Sequence, residues 1–171
     1  MVIGVAIAVP EPHAGHLRDL RRGYGDPAAD AVQTHITVAG PRSLTGADLV
    51  AVEEHLTRVA GHTPPFRIAL AGTGTFRPVT DVVYVALAEG AAQCAALAAD
   101  VGGHPLIGPD PYPYFPHVTL AHDVPPDRLD AAQADLAGYR VEFDVTAFGV
   151  SVYGPEGHWR PLRSFALAGR G

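Results

Sequence analysis

The sequence contains no lysine, so all 12 of its basic side chains are arginines, and 18 Asp and Glu residues give a formal net charge of −6. An acidic chain lacks the electrostatic field that binds long nucleic acids by counterion release, and we therefore expect no duplex DNA partner. The absence of lysine also excludes Schiff-base chemistry and the usual phosphate-binding loop. Any phosphate must be held by arginine, histidine, hydroxyl groups or backbone amides.

Cysteine and long apolar runs are also scarce. The single Cys94 excludes an internal disulfide, and no apolar run approaches the roughly 20 residues that cross a bilayer. The apolar segment 2–9 therefore predicts a first strand, with no membrane partner. A length of 171 residues and a hydrophobic content of 47% suit a single domain over residues 1–171. Since nothing indicates export, we expect a cytoplasmic location. We also expect the protein to be a monomer.

Two short segments carry the chemistry of this sequence: THITV at 34–38 and PHVTL at 116–120. Side chains alternate between the two faces of a strand, so His35 and Thr37 would share one face, as would His117 and Thr119. The apolar residues between and after them would lie on the opposite face, buried under helices. Two such strands side by side predict a site in which two imidazoles and two hydroxyls meet one small anion.

A third His-x-Thr match occurs at His55-Leu56-Thr57. Chance alone gives about 0.5 such matches at this composition, so a single one carries no weight. The segment 46–60 has apolar residues at helical spacing, and residues two apart on a helix do not face each other. We therefore exclude His55 from the predicted site.

The pattern along the chain predicts an α+β fold of two pseudo-symmetric lobes, each an antiparallel sheet with helices on its outer face, and a cleft between them. The order of motif strand, amphipathic helix, strand and closing strand occurs twice. Thr45 and Asp48 form a predicted capping box, and the glycine-rich 72–75 is interpreted as a tight turn. The predicted helices are 13–23, 46–61, 90–101 and 127–138, and the predicted strands are 2–9, 34–38, 66–71, 82–87, 117–121 and 140–150, with a hairpin through 151–167.

These motifs resemble the signature of the 2H phosphoesterase superfamily, in particular its bacterial 2′-5′ RNA ligase-like branch. The separation of the two histidines (117 − 35 = 82 residues), the wording PHVTLA at 116–121 and the GTF at 74–76 are also similar to that family. The resemblance covers nearly the whole chain. One departure is the segment YPYFP at 112–116, where relatives often carry a basic residue, so the cation that would contact a phosphate is left open.

The resemblance implies a phosphodiesterase that needs no cofactor or metal and acts on 2′,3′-cyclic phosphates or 2′-5′-linked nucleotides, with a small nucleotide or RNA terminus as its partner. Hydrolysis of a phosphodiester needs a base that takes a proton from water and an acid that protonates the leaving oxygen. Histidine suits both roles because its pKa lies near 6.5. By resemblance, His117 activates water, His35 protonates the leaving oxygen, and Thr37 and Thr119 hold the phosphate. The opposite assignment of acid and base stays open, because the repeat makes the two rings nearly equivalent.

Five further residues are candidates for substrate binding. Tyr112, Tyr114 and Phe115 offer a wall on which a base stacks, as in single-strand RNA sites, or else they pack beneath the proline-rich loop. Arg77 and Arg160 are candidates for the missing cation, or else they are solvated surface arginines.

Two functions of other classes compete with the enzyme. One is a module that binds a nucleotide or RNA end in the same groove without turnover, although pure binding does not require two imidazoles. The other is a histidine-rich metal protein, for which His13 and His16 lie one helical turn apart but have no evident third ligand.

Overall fold

The computed structural model describes residues 1–170, which form eight strands and four helices. The strands are β1 (Val2–Ala8), β2 (His35–Ser43), β3 (Phe66–Thr75), β4 (Val82–Glu89), β5 (His117–His122), β6 (Arg140–Val145), β7 (Ala147–Tyr153) and β8 (Trp159–Ala166). The helices are α1 (His13–Gly23), α2 (Gly46–His62), α3 (Ala91–Gly102) and α4 (Pro126–Asp135).

Local sequence signals explain where the helices begin. Thr45 and Asp48 form the predicted capping box of α2, each side chain accepting a hydrogen bond from the other residue's backbone N–H. Pro126 opens α4 at its first turn, where its missing N–H costs no hydrogen bond. Helix α4 ends at Asp135, three residues before the predicted end.

All eight strands form one antiparallel sheet in the order β6-β3-β4-β5-β2-β1-β7-β8, curled into a half-barrel. The predicted α+β class with two similar halves is confirmed. The halves are the four strands on each side of the junction between β2 and β5. That junction is narrow, because its ladder contains the single residue pair Ile36–Val118. The two motif strands therefore lie side by side at the centre of the sheet.

The two halves of the sheet do not correspond to the two halves of the chain. Strands β3 and β4 follow the first motif but belong to the half of the sheet that contains β5, while β7 and β8 follow the second motif but belong to the half that contains β1. The repeated unit is better described as β1-α1-β2-α2 and β4-α3-β5-α4, since each motif strand pairs with the strand before it. The sequence pattern indicated the repeat but could not assign these pairings.

One face of the sheet carries the hydrophobic core. Ile36, Val38, Val118 and Leu120, which alternate with the motif residues, are all at most 2% exposed. They belong to the same buried cluster as the helix residues Leu17, Leu56, Leu97 and Leu129. Each such side chain contributes about 1.5–3 kcal/mol by leaving water. This burial fixes the register of β2 and β5, because a slip of one residue would move the histidines into the core.

The segment 72–75 is part of strand β3 and is not the tight turn predicted from its glycines. Thr73, Gly74 and Thr75 pair with β4, after a register shift that follows Leu70. Gly72 has a φ of +69°, a conformation that glycine adopts without strain. The glycines therefore mark a β-bulge in a continuing strand.

No helix within the described part of the chain is long and apolar enough to cross a membrane.

Candidate active site

The register between β2 and β5 brings the four motif side chains to one face of the sheet. The ladder holds the single pair Ile36–Val118. Extending its antiparallel register by one residue on each side sets His35 across from Thr119 and Thr37 across from His117. The two histidines are diagonal neighbours, a relation that typically separates Cβ atoms by about 7 Å. All four side chains are partly exposed on the face that the helices leave open. The quartet predicted from the sequence is thus assembled at the centre of the groove.

The pseudo-twofold axis passes through the Ile36–Val118 pair, and it relates His35 to His117 and Thr37 to Thr119. The two imidazoles make matching hydrogen bonds. Nδ1 of His35 lies 2.7 Å from the carbonyl oxygen of Gln33, and Nδ1 of His117 lies 2.8 Å from that of Phe115. A carbonyl oxygen can only accept, so Nδ1 carries the hydrogen in each ring. The neutral rings therefore present a bare Nε2 on the side away from the backbone.

Burial lowers the pKa of both motif histidines below their usual value of 6.5. For His35, the positive charge of Arg21 and of a protonated His117 lowers the pKa further, against the hydrogen bond to Gln33. For His117, only the hydrogen bond to the Phe115 carbonyl opposes burial. Both rings are consequently neutral at pH 7 in the absence of an anion, and each is available as a base.

Aromatic rings surround His117, whereas no ring contact of His35 is found among residues 1–170. Ring centroids of Phe76, Tyr84 and Phe115 lie 5.0, 5.5 and 6.2 Å from that of His117. Tyr84 sits opposite Thr119 in the ladder of β4 and β5. Its ring is accommodated by Gly74 on β3, where an added Cβ would lie 2.4 Å from the tyrosine oxygen. Close approach of this kind is a reason for glycine inside a strand.

The sequence did not identify Phe76 and Tyr84 as parts of the site. In the sequence, Phe76 is distinguished only by its place in the family-like GTF segment. The period-2 pattern of β4 does place Tyr84 on the open face, between the buried Val83 and Val85. Its contact with the second motif depends on which strands pair, which the pattern does not give.

The half of the sheet beside His35 is open. There Ala8 and Ala6 pair with His35 and Thr37, so small side chains stand where Tyr84 stands in the other half. A cavity of about 560 Å³ extends from the motif across β1, β7 and β8. This volume is in the range of small-molecule sites. Its lining includes His35, Thr37, Gln33, Ser151, Ser164 and Trp159.

The three candidate aromatics before the second motif occupy different environments. Tyr114 packs against the core and donates a hydrogen bond of 2.9 Å to the backbone carbonyl of Thr37. It therefore holds the loop to β2, as the packing alternative predicted. Phe115 is 50% exposed beside His117, in a position to contact a ligand, whereas Tyr112 is 79% exposed with no ring contact among the described residues.

The two candidate cations are engaged away from the motifs. The guanidinium of Arg77 donates to Asp130 at 2.8 Å and to Gln133, both on α4. Arg160 pairs with Glu156 within the β7–β8 hairpin. The prediction that one of them holds the phosphate therefore has no support in the arrangement of these side chains. Arg77 and Arg160 act as surface ion-pair partners here.

Another arginine, Arg42 on β2, clamps the proline-rich loop that leads into His117. Its guanidinium donates to the backbone carbonyls of Ile107 and Pro109 and to Asp110, with 2.6 Å to Oδ1. With Tyr114 on Thr37, two contacts tie the loop to the first motif strand. These contacts hold the loop against β2 and so help to fix the position of the second motif relative to the first.

Replacing Arg42 with methionine is expected to lower the free energy of unfolding by about 1–2 kcal/mol, because several partly buried hydrogen bonds to a charged group are lost. Urea denaturation measures this. The matched control is Arg67→Met, which removes an exposed cross-strand pair with Glu142 and should cost at most about 0.5 kcal/mol. Equal effects of the two substitutions would contradict the clamp.

Two further reactive side chains, His55 and Cys94, lie apart from the quartet. The imidazole of His55 lies 5.2 Å from that of His104 and its Nε2 contacts the carbonyl of Asp100, at the contact of α2 with α3. Burial raises the pKa of the Cys94 thiol to about 11, which makes it a poor nucleophile. Within residues 1–170, no group of three or more His, Cys, Asp or Glu side chains is placed to hold a metal ion.

Sequence relatives extend over nearly the whole chain. A presumed phosphoesterase of Oceanobacillus iheyensis is 25% identical over 98% of both proteins. Another, from Bacillus cereus strain G9842, is 28% identical over 81% of this chain and 77% of its own length.

Solved structures share the fold. A protein of Thermus thermophilus superposes with a TM-score of 0.70 and 24% identity over 100% of both chains. Escherichia coli LigT, solved with 3′-AMP, gives a TM-score of 0.65 and 21% identity over 96% of this chain and 97% of its own. The model of the 2′-5′ RNA ligase superfamily matches residues 9–156, a range that contains both histidine–threonine motifs. The chain belongs to this superfamily, which is a family of 2H phosphoesterases.

Proposed function

We propose that the protein is a metal-independent phosphodiesterase that hydrolyses 2′,3′-cyclic phosphates or 2′-5′-linked nucleotides at RNA ends. The observation that carries this proposal is the pair of equivalent imidazoles, each with Nδ1–H bound to a backbone carbonyl and a bare Nε2, set diagonally about two threonines. One neutral ring and one protonated ring are what hydrolysis of a phosphodiester needs.

The two imidazoles can carry out both proton transfers of the hydrolysis. The neutral imidazole takes a proton from water as the water oxygen attacks phosphorus. The bond from phosphorus to the 2′ or 3′ oxygen breaks, and the protonated imidazole supplies the proton to that oxygen. Thr37 and Thr119 donate hydrogen bonds to the non-bridging oxygens, where negative charge builds up. Exchange with solvent then restores the starting protonation states.

Nucleotide-sized ligands are consistent with the fold. Crystal structures of E. coli LigT, which shares this fold, hold 3′-AMP, ATP, NADP⁺ or phosphate. The cavity beside His35 has room for a nucleoside, and no Asp or Glu among the described residues lines it. A site without carboxylates does not repel a phosphate.

A substrate panel tests the proposal. We expect turnover of 2′,3′-cyclic AMP or of 2′-5′-linked ApA, and none of 3′-5′-linked ApA, measured by chromatography of the products. EDTA should leave the rate unchanged, since protonation of the leaving group is assigned to an imidazole.

Two results would contradict the proposal. Loss of activity in EDTA that is restored by a divalent cation would indicate metal-dependent chemistry instead. Saturable binding of 3′-AMP with no turnover of any member of the panel would identify a binding module that uses the same groove.

A further inference from the structure

Trp159 is the only tryptophan in the chain, and it forms one wall of the cavity that begins at His35. Its indole leans from β8 across β7 to β1. A Cβ placed on Gly4 would lie 3.3 Å from Cζ3 of the indole. Tyr153 supports the ring from a neighbouring position, with ring centroids 5.3 Å apart. The backbone N–H of Trp159 is also fixed, since it donates to the carbonyl of Ala31 at 2.8 Å.

The indole lies at a useful distance from the quartet. Gly4, Ala6 and Ala8 alternate with buried residues on the open face of β1. Ala6 pairs with Thr37, and Gly4 is two residues farther along the strand, or about 7 Å at the usual rise. A ribose spans a similar distance between its phosphate and its base. A phosphate held at Thr37 would therefore place a base beside the ring above Gly4.

The lining between these two points suits a flat, uncharged ring. The floor is made of small residues, Ala6, Gly4 and Gly149, and hydroxyl groups of Ser151 and Ser164 stand on the same surface. Arg163 contributes to the lining, but its guanidinium pairs with Glu53 of α2 at 2.7 Å, and its strand position opposes the buried Val150. Its charge is thus directed to the helical side of the sheet.

We infer that this groove is the nucleobase subsite of the enzyme and that Trp159 is its stacking residue, a proposal that rests on the function proposed above. Stacking on an aromatic ring is sequence-tolerant, because every base has a π-face. In the other half, the rings of Phe76, Tyr84 and Phe115 stand beside His117, where the half with Trp159 has the small side chains of Ala6 and Ala8. Substrates with a base should therefore bind in one orientation.

Fluorescence of the single tryptophan tests the subsite without any need for turnover. Titration of the wild-type protein with 3′-AMP should quench the fluorescence of Trp159 to a saturable limit, because a base stacked on the indole promotes non-radiative decay of its excited state. Inorganic phosphate, which has no base, should bind without this quenching. Nucleotide binding that leaves the emission unchanged would overturn the inference.

Kinetics give an independent readout. Trp159→Leu should raise KM for 2′,3′-cyclic AMP about tenfold, the scale of one lost base–aromatic stack, while KM for the base-free glycerol 1,2-cyclic phosphate stays the same. Trp159→Phe keeps a stacking ring and should stay within about twofold of the wild type for both substrates. Equal changes for both substrates in Trp159→Leu, or none, would overturn the subsite while the hydrolysis itself stands.

Failure of the proposed function would look different. A protein that hydrolyses neither substrate but whose Trp159 emission is saturably quenched by 3′-AMP would retain the subsite and lose the phosphodiesterase assignment.

Discussion

Alanine in place of either His35 or His117 is expected to lower turnover of 2′,3′-cyclic AMP by roughly 10²–10⁴, the usual cost of losing a general acid or base. The reason is that each Nε2 carries one of two obligatory proton transfers, and its diagonal neighbour cannot carry both. The double variant should lose little more than the worse single variant, because the two rings act as a unit. Steady-state rates over a range of pH measure these effects. The wild-type profile should be bell-shaped, and each single variant should lose one limb.

The matched control is His55→Ala, which removes the third His-x-Thr histidine at the contact of α2 with α3. Its rate and pH profile should equal those of the wild type. Thr37→Ala and Thr119→Ala should cost about tenfold or less, since one neutral hydrogen-bond donor contributes less than a proton carrier. Wild-type turnover in both motif variants, or an equal loss in His55→Ala, would show that the quartet is not the catalytic site.

The catalytic face of the motif strands could be predicted because its signal is local. In β2 and β5, apolar and polar residues alternate with the period of a strand, and the apolar ones are buried. Burial of Ile36 and Val118 then forces the histidines and threonines onto the open face. The helix around His55 could be separated on equally local grounds, by its apolar spacing and its capping box.

The surroundings of the motifs depend on which strands pair, and the sequence pattern did not specify this. Tyr84 reaches His117 only because β4 lies beside β5, across a chain separation of more than thirty residues. A signal was present in Gly74, since glycine inside a strand often marks close approach of another group. The glycine-rich pattern predicts a turn at 72–75, but the strand continues through Gly74.

The partners of the arginines also could not be predicted from the sequence pattern. Arg77 follows a family-like segment, yet its partners are Asp130 and Gln133 on α4, which the sequence could not place next to it. Arg42 had no motif to identify it, and its clamp on the loop at 107–110 becomes visible only when β2 and the loop are packed together. Which ion pairs these long side chains form depends on how the helices, strands and loops pack against one another.

This distribution of arginines affects how the groove binds an anion. Arg42, Arg77 and Arg21 all have partners elsewhere, the last in a buried pair with Asp26 at 2.6 Å. The charge of Arg21 acts on His35 without a hydrogen bond, so the cationic groups placed to contact an anion at the quartet are the histidines themselves. Burial lowers the pKa of both rings, so near pH 7 the empty groove holds two neutral imidazoles. Binding of a dianion favours the imidazolium form and raises its pKa, which couples binding to proton uptake.

The affinity for sulfate is therefore expected to rise by up to tenfold for each pH unit as the pH falls from about 8 towards 6. The sign follows from the lowered pKa: the free protein lacks a proton that the complex carries, so a higher proton concentration favours the complex. The affinity should stop rising at a pH below 6.5, where the histidines of the free protein are themselves protonated. Sulfate is the suitable probe because its own charge does not change in this range, and isothermal titration calorimetry measures both its Kd and the proton uptake.

The double variant His35→Gln, His117→Gln is the control, because glutamine keeps a polar side chain of similar size that does not titrate. Its affinity for sulfate should be weak and independent of pH. The opposite result, an equally steep pH dependence in the double variant, would mean that a group outside the quartet supplies the charge. A flat response in the wild type would mean that a permanently charged side chain reaches the anion, and the groove would then bind phosphate without engaging its two histidines as acid and base.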